Sequence, residues 1–141
     1  MKLNPRFKNA LAVGTGILVG SFVNMAIISI SDSVIPPPTN IDVSTTEGLK
    51  AAMHLFQPKH FLFPFMAHAF GTFVGSMIAT KIALTHQKVP AMLVGIFFLF
   101  GGITTILMLP SPLWFAITDI IGAYLPMAYL GWKIIQNKVI S

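Results

Sequence analysis

Apolar residues fill four long stretches of this chain, and polar residues mark the ends of each stretch. A helix needs about 20 predominantly apolar residues to cross the roughly 30 Å hydrocarbon core of a bilayer. The stretches run over about residues 7–31, 60–81, 90–109 and 112–133, so each is long enough. The pattern predicts an all-α integral membrane protein, a four-helix transmembrane bundle that forms a single domain over residues 1–141.

The long connection between the first two spans carries a pattern of its own. Prolines 36–38 open it with a stiff, extended piece, and Ser44 and Glu47 then have the spacing of a capping box. Apolar residues follow at helical spacing on one face: Leu49, Ala52, Met53 and Phe56. Residues 44–57 are therefore predicted to form a short amphipathic surface helix, which either covers a site or only shields the end of the bundle.

Composition and charge support the membrane class. Only 9% of the 141 residues are charged, whereas soluble domains carry about a quarter. The net charge of +5 comes from lysines and arginines that flank the spans, so membrane topology explains it better than nucleic-acid binding. Seven of the nine basic residues lie at the end of the bundle that both termini share: Lys2, Arg6, Lys8, Lys81, Lys88, Lys133 and Lys138. The positive-inside rule then predicts cytoplasmic N- and C-termini in a bacterial inner membrane.

Small residues recur every fourth position in the first two spans. Such stripes let two helix backbones approach closely inside a bilayer. The predicted packing seam consists of Gly16, Gly20, Ala67, Gly71, Gly75 and Ala79. Antiparallel alignment places Gly20 near Gly71, Gly16 near Gly75, and Asn24 near Ala67 and His68. The same stripes leave open a homodimer or a larger membrane complex.

Three polar residues fall at one depth in three different spans. At about 1.5 Å per residue, Asn24, His68 and Asp119 each lie roughly 10–12 Å below the outer end of their helix. An ionisable group at that depth is rare, and its default interpretation is functional. The candidate ligand or proton site comprises Asn24, His68, Thr72, Thr104, Thr105, Asp119 and Tyr124. Pro126 is expected to kink the last helix and to free the carbonyl of Gly122.

Other chemistry has little support in the sequence. The chain has no cysteine, which excludes thiolate metal sites, Fe–S clusters and disulfides. It has neither a phosphate-binding loop nor a G-x-S-x-G nucleophile elbow. His54, His60 and His68 do not share one helical face, so a zinc site is not expected. We therefore predict no enzymatic activity, no cofactor and no metal.

Two functions remain as hypotheses. The first is a non-enzymatic accessory or assembly subunit that acts through helix–helix contacts, because the chain is small and rich in small-residue seams. The alternative is a compact proton-linked transporter, or a protein that binds a small ligand such as a quinone, using the polar layer in the outer half of the bundle. Asn24, His68 and Asp119 could also serve only as interhelical hydrogen bonds that fix the register.

Overall fold

The computed structural model describes residues 4–38 and 42–140, and those residues form helices and no strands. The helices are α1 (Pro5–Val34), α2 (Thr46–Ala52), α3 (Leu62–Ile82), α4 (Lys88–Met108), α5 (Leu113–Gly122) and α6 (Leu125–Ile140). Two 3-10 turns, Met53–Leu55 and Pro58–Phe61, join α2 to α3. Four stretches are long and apolar enough to cross a membrane: Pro5–Val34, Pro58–Ile82, Lys88–Met108 and Leu113–Lys138. The predicted all-α fold with four apolar helices is confirmed.

Helix α3 is the centre of the bundle and packs against α1, α4 and α6. Its closest neighbour is α1, and glycines make this approach possible. A methyl group added at Gly16 would lie 2.6 Å from the carbonyl oxygen of Gly75, and one at Gly20 would lie 2.5 Å from that of Gly71. The two backbones are therefore in direct contact, with no room for a side chain between them.

Two further glycines bring the last helix against its neighbours. A methyl group at Gly95 on α4 would lie 2.5 Å from the Cβ of Ala128 on α6. One at Gly131 on α6 would lie 2.6 Å from the carbonyl oxygen of Phe73 on α3. Gly131 has no small residue four positions away on either side, and Gly95 has one, Ala91, so the sequence contains at most one small-residue pair at this spacing for these contacts.

The connection between α1 and α3 differs from its prediction. Residues 42–61, which we call the cover segment, contain a helix of only seven residues, Thr46–Ala52. Thr45, and not Ser44, caps it by accepting a hydrogen bond from the amide of Gly48 at 3.0 Å. Ser44 is unavailable because its hydroxyl and amide both donate to the Asp42 carboxylate.

The cover segment packs against one end of the bundle, which we call the covered end. Met53, Phe61 and Phe115 are buried together there, and Leu49 and Phe56 pack around them. The apolar face predicted for residues 44–57 thus meets α5 and the start of α3. The α-helical conformation ends at Ala52, before Pro58. The ring of Pro58 disfavours a helical conformation for the residue before it, and Gln57 is accordingly extended.

The opposite end of the bundle is held by polar contacts of the first helix. The side-chain amide of Asn9 donates to the carbonyl oxygen of Thr85 at 2.9 Å, and its oxygen accepts from the amide of Leu84 at 3.1 Å. These bonds fasten the first turns of α1 to the α3–α4 hairpin. The ammonium of Lys88 lies over the rings of Tyr129 and Trp132, which ties α6 to the same end.

The fourth apolar stretch is broken, and not merely kinked as the sequence predicts. Helix α5 ends at Gly122 and α6 begins at Leu125, so Ala123 and Tyr124 lie in a turn between two helices. Pro126 stands in the first turn of α6, where its missing amide hydrogen costs nothing. The break therefore starts a new helix, and it directs the side chain of Tyr124 back along α5.

Candidate functional site

Three polar side chains meet near the covered end, each contributed by a different element. His68 comes from α3, Asp119 from α5, and Tyr124 from the turn between α5 and α6. The Nδ1 atom of His68 lies 2.9 Å from Oδ1 and 3.0 Å from Oδ2 of Asp119. The Tyr124 hydroxyl donates to Oδ2 of Asp119 at 2.6 Å and lies 2.9 Å from Nδ1 of His68. We call these three residues the polar triad.

The polar triad is buried on one side and open on the other. Asp119 and Tyr124 are each 1% exposed, whereas the His68 side chain is 19% exposed. A buried carboxylate is costly unless it is paired and hydrogen-bonded. Here both carboxylate oxygens have partners, so His68 and Tyr124 together make burial of Asp119 tolerable.

Gly102 on α4 makes room for the triad. A methyl group at this position would overlap the Tyr124 hydroxyl and ring, whereas one at Gly101 would meet nothing within 4 Å. Sequence reasoning missed Gly102. The only feature of the sequence that pointed to Gly102 was the Gly101–Gly102 pair. Such a pair does not reveal which of its glycines faces a tyrosine.

Asn24 does not join the triad, contrary to the predicted layer. Its Cβ and its backbone nitrogen face Gly71. They lie 3.1 and 3.5 Å from the position that a methyl group on Gly71 would take. The imidazole of His68 instead turns toward α5 and α6. No hydrogen bond of the Asn24 side chain links it to another described residue. Depth and the antiparallel alignment of α1 with α3 brought Asn24 into the prediction, but the bonds of the triad join only His68, Asp119 and Tyr124.

The three predicted threonines also stay outside the triad. Thr104 and Thr105 are exposed, and each donates to a carbonyl oxygen one turn earlier on α4, at 2.9 and 3.0 Å. Thr72 is completely buried one turn below His68, and its hydroxyl has no partner among the residues described. Of the seven candidate site residues, the structure brings together His68, Asp119 and Tyr124.

A cavity of about 320 Å³ lies between the covered end of the bundle and the cover segment. His68 and Thr105 belong to its wall, while Asp119 and Tyr124 stand behind His68. The cover segment contributes apolar side chains, including Leu49 and Met53. The polar groups of the wall are Ser31, Asp32, His60, His68, Thr105 and Ser111.

His60 shares the cavity wall but serves a different purpose. Its Nδ1 accepts a hydrogen bond from the amide of Gln57 at 2.9 Å, and its Nε2 lies 3.2 Å from the carbonyl oxygen of Pro36. With Nδ1 as the acceptor, Nε2 carries the hydrogen and donates to Pro36. Nε2 therefore links the cover segment to Pro36, just after the end of α1, while Nδ1 braces the turn at Gln57 within the cover segment.

Over the described ranges, no three histidine, aspartate or glutamate side chains lie close enough to hold a metal ion. Comparisons with protein-family models, with curated proteins and with solved structures found no match. The geometry of the polar triad and its cavity is therefore the basis for any functional proposal.

Proposed function

We propose that this chain is a multi-pass membrane protein that binds a small amphipathic molecule in the cavity at its covered end. The observation that carries the proposal is the placement of His68: a buried Asp119 and Tyr124 hold its ring in the wall of a largely apolar cavity. Ligand sites commonly have volumes of roughly 300–1,000 Å³ and a few positioned polar groups in apolar walls. The volume of about 320 Å³ is at the small end of that range.

A bilayer environment is supported by the lateral surface of the bundle. Large apolar side chains there are widely exposed, as shown by Leu18 at 72%, Phe22 at 76% and Leu107 at 82%. Such a surface would associate in water and is suited to lipid. The concentration of basic residues at the end opposite the cover segment supports cytoplasmic termini and, in a bacterium, the inner membrane.

Interhelical bonding alone does not account for this arrangement. Hydrogen bonds between membrane helices contribute only about 0.6 kcal/mol on average. A purely structural role for the polar triad would be served equally well if His68 were buried with its partners. Instead the ring reaches a cavity, and the cover segment lies across that cavity.

Binding is better supported than the other two hypotheses. The glycine stripes of α1 and α3 are occupied by each other, so they offer no seam to an outside helix. Below Thr72, the Ser76 hydroxyl donates to the carbonyl oxygen of Ala91 and that of Thr80 to the carbonyl oxygen of Ser76. This close packing favours a binding site at one end over a transport path. The accessory-subunit role remains a prediction.

Native mass spectrometry of the gently purified protein tests the proposal. We expect a small molecule to remain bound to the wild-type chain and to be lost in Thr105→Phe, which enlarges a side chain of the cavity wall that forms no hydrogen bond with the polar triad. Leu107→Phe, which alters a side chain on the exposed lateral surface, is the matched control and should retain it. Equal occupancy of wild type and Thr105→Phe would contradict a ligand in this cavity.

A further inference from the structure

Resting on the proposed binding site, we infer that the ligand is an uncharged hydrogen-bond donor: an alcohol or phenol carried on an apolar body. Its hydroxyl donates to Nε2 of His68, while the body lies against the apolar wall of the cavity.

The hydrogen bonds of the polar triad determine which nitrogen of the His68 ring carries hydrogen. Its Nδ1 atom faces three oxygens, two on Asp119 and one on Tyr124. The single hydrogen of the Tyr124 hydroxyl goes to Asp119, and a carboxylate oxygen can only accept. All three oxygens therefore act as acceptors toward Nδ1, and Nδ1 carries the hydrogen. In a neutral imidazole the other nitrogen, Nε2, is then an acceptor.

The Nε2 atom of His68 is available to a ligand. In the described part of the chain, no side chain or backbone group forms a hydrogen bond with Nε2 of His68. His60, in the same wall, uses both of its ring nitrogens within the protein. The two histidines thus differ in one respect that matters for a ligand: His68 presents a free acceptor to the cavity, and His60 does not.

The charged residues of the cavity wall disfavour an anionic ligand. Among the described residues that line the cavity there is no lysine or arginine, and Asp32 is the one acidic residue. A carboxylate or phosphate head group would meet Asp32 without a compensating cation, and like charges repel. An uncharged donor avoids that repulsion and satisfies Nε2. The apolar side chains of the cover segment suit the rest of the molecule.

Three probes of matched shape test the inference: para-hexylphenol, its methyl ether para-hexylanisole, and para-hexylbenzoate. Binding to the purified full chain is measured by native mass spectrometry, and histidine nitrogen NMR reports which ring nitrogen of His68 carries hydrogen. We expect para-hexylphenol to bind about five- to tenfold more tightly than para-hexylanisole, the value of one ordinary hydrogen bond. The phenol should also shift the Nε2 resonance of His68.

Two variants show where the phenol binds. His68→Phe keeps a ring and removes the acceptor, so it should abolish the preference for the phenol over the ether. Thr104→Val removes a hydroxyl outside the cavity wall that is already bonded to its own helix, and should leave that preference unchanged. Because the comparison of probes on the wild-type chain needs no variant, poor folding of His68→Phe would not prevent the test.

The outcomes separate the inference from the proposed function. If phenol and ether bind equally and both are excluded by Thr105→Phe, the ligand class is wrong and the binding site stands. If para-hexylbenzoate binds most tightly, His68 acts as a cationic donor and the ligand class is again wrong. If none of the probes binds and no small molecule accompanies the wild-type chain, both the inference and the proposed function fail.

Discussion

Two parts of α3 are built from different residues and serve different purposes. From Gly71 onward, small residues let α1 touch α3 directly, and the hydroxyls of Ser76 and Thr80 bond to carbonyl oxygens. In the part before Gly71, which contains His68, the neighbouring elements stand apart and leave a cavity. Close backbone contact removes the space that a ligand needs, so the same helix is a packing element at one end and part of a site at the other.

Bulky residues explain the difference. At the covered end, the aromatic side chains of Phe61 and Phe115 pack against Met53, with ring centroids of the two phenylalanines 4.8 Å apart. Such side chains keep the cover segment, α3 and α5 further apart than the glycines keep α1 and α3. Small residues on α1 and α3, and large residues on the cover segment and α5, thus determine where the bundle can hold a molecule.

The largest effect is expected from filling the glycine seam. In Gly75→Leu, the new side chain must displace the carbonyl oxygen of Gly16, which lies 2.5 Å from the position of its Cβ. Overpacking typically costs about 1–3 kcal/mol and sometimes more, and a backbone neighbour yields less than a side chain. Denaturation in detergent measures the loss. Gly14→Leu is the control, because nothing lies within 4 Å of a methyl group there; equal destabilisation by both changes would contradict the seam.

A smaller change should damage the covered end selectively. Gly102→Ala adds a methyl group that overlaps the buried Tyr124 hydroxyl and therefore disturbs the polar triad. We expect a loss of about 1–3 kcal/mol in stability together with loss of the bound molecule. The adjacent Gly101→Ala has open space and should change neither. Full binding by Gly102→Ala would show that Tyr124 does not position His68.

Removal of the Ser76 hydroxyl and of the Thr72 hydroxyl, both buried on α3, should affect the free energy of unfolding differently. Ser76→Ala removes a donor to Ala91 and should lower the free energy of unfolding by about 0.5–1.5 kcal/mol. Thr72→Val replaces a buried hydroxyl without a described partner by a methyl group of similar shape, and should leave stability unchanged or raise it. The same denaturation assay compares them. A marked loss in Thr72→Val would reveal a partner for its hydroxyl.

The smallest change in stability is expected from Asp42, at the start of the cover segment. Hydrogen bonds from the Ser44 hydroxyl and then from its amide hold the pKa of Asp42 below its usual value of 3.8. Because the folded pKa is lowered, the stabilisation is present above the usual pKa and is lost as the pH falls through the folded value. Carboxyl NMR titration should show the low midpoint, and Ser44→Ala should raise it. An unchanged midpoint in Ser44→Ala would contradict this capture of Asp42.

Much of the closely packed region could be predicted from the sequence. Apolar runs set the four long helices, and the fourth-residue spacing of Gly16, Gly20, Gly71 and Gly75 anticipates the contacts that the structure shows. These features are local or periodic, so they can be recognised in a single sequence. The depth of His68 and Asp119 follows from helical rise and brought both into one candidate site.

The covered end could be predicted only in part. The position of Tyr124 against His68 and the role of Gly102 depend on contacts between elements far apart in the chain. The cap at Thr45 is local, but it depends on Asp42 engaging Ser44 first. Asn24 lies outside the hydrogen-bonded triad, because depth does not fix which way a side chain points from its helix. A cavity depends on how a loop packs against several helices, which no periodicity describes.

The most direct test of the central claim is to map where a ligand lies. A photoreactive analogue of para-hexylphenol, with a diazirine on its alkyl chain, is bound to the purified protein, activated by light and located by peptide mass spectrometry. Labelling should fall on cavity-lining residues such as Leu49, Met53 and Phe115 and should decline in Thr105→Phe. Labelling confined to the exposed lateral surface around Leu107, with no change in Thr105→Phe, would contradict a binding site beside His68.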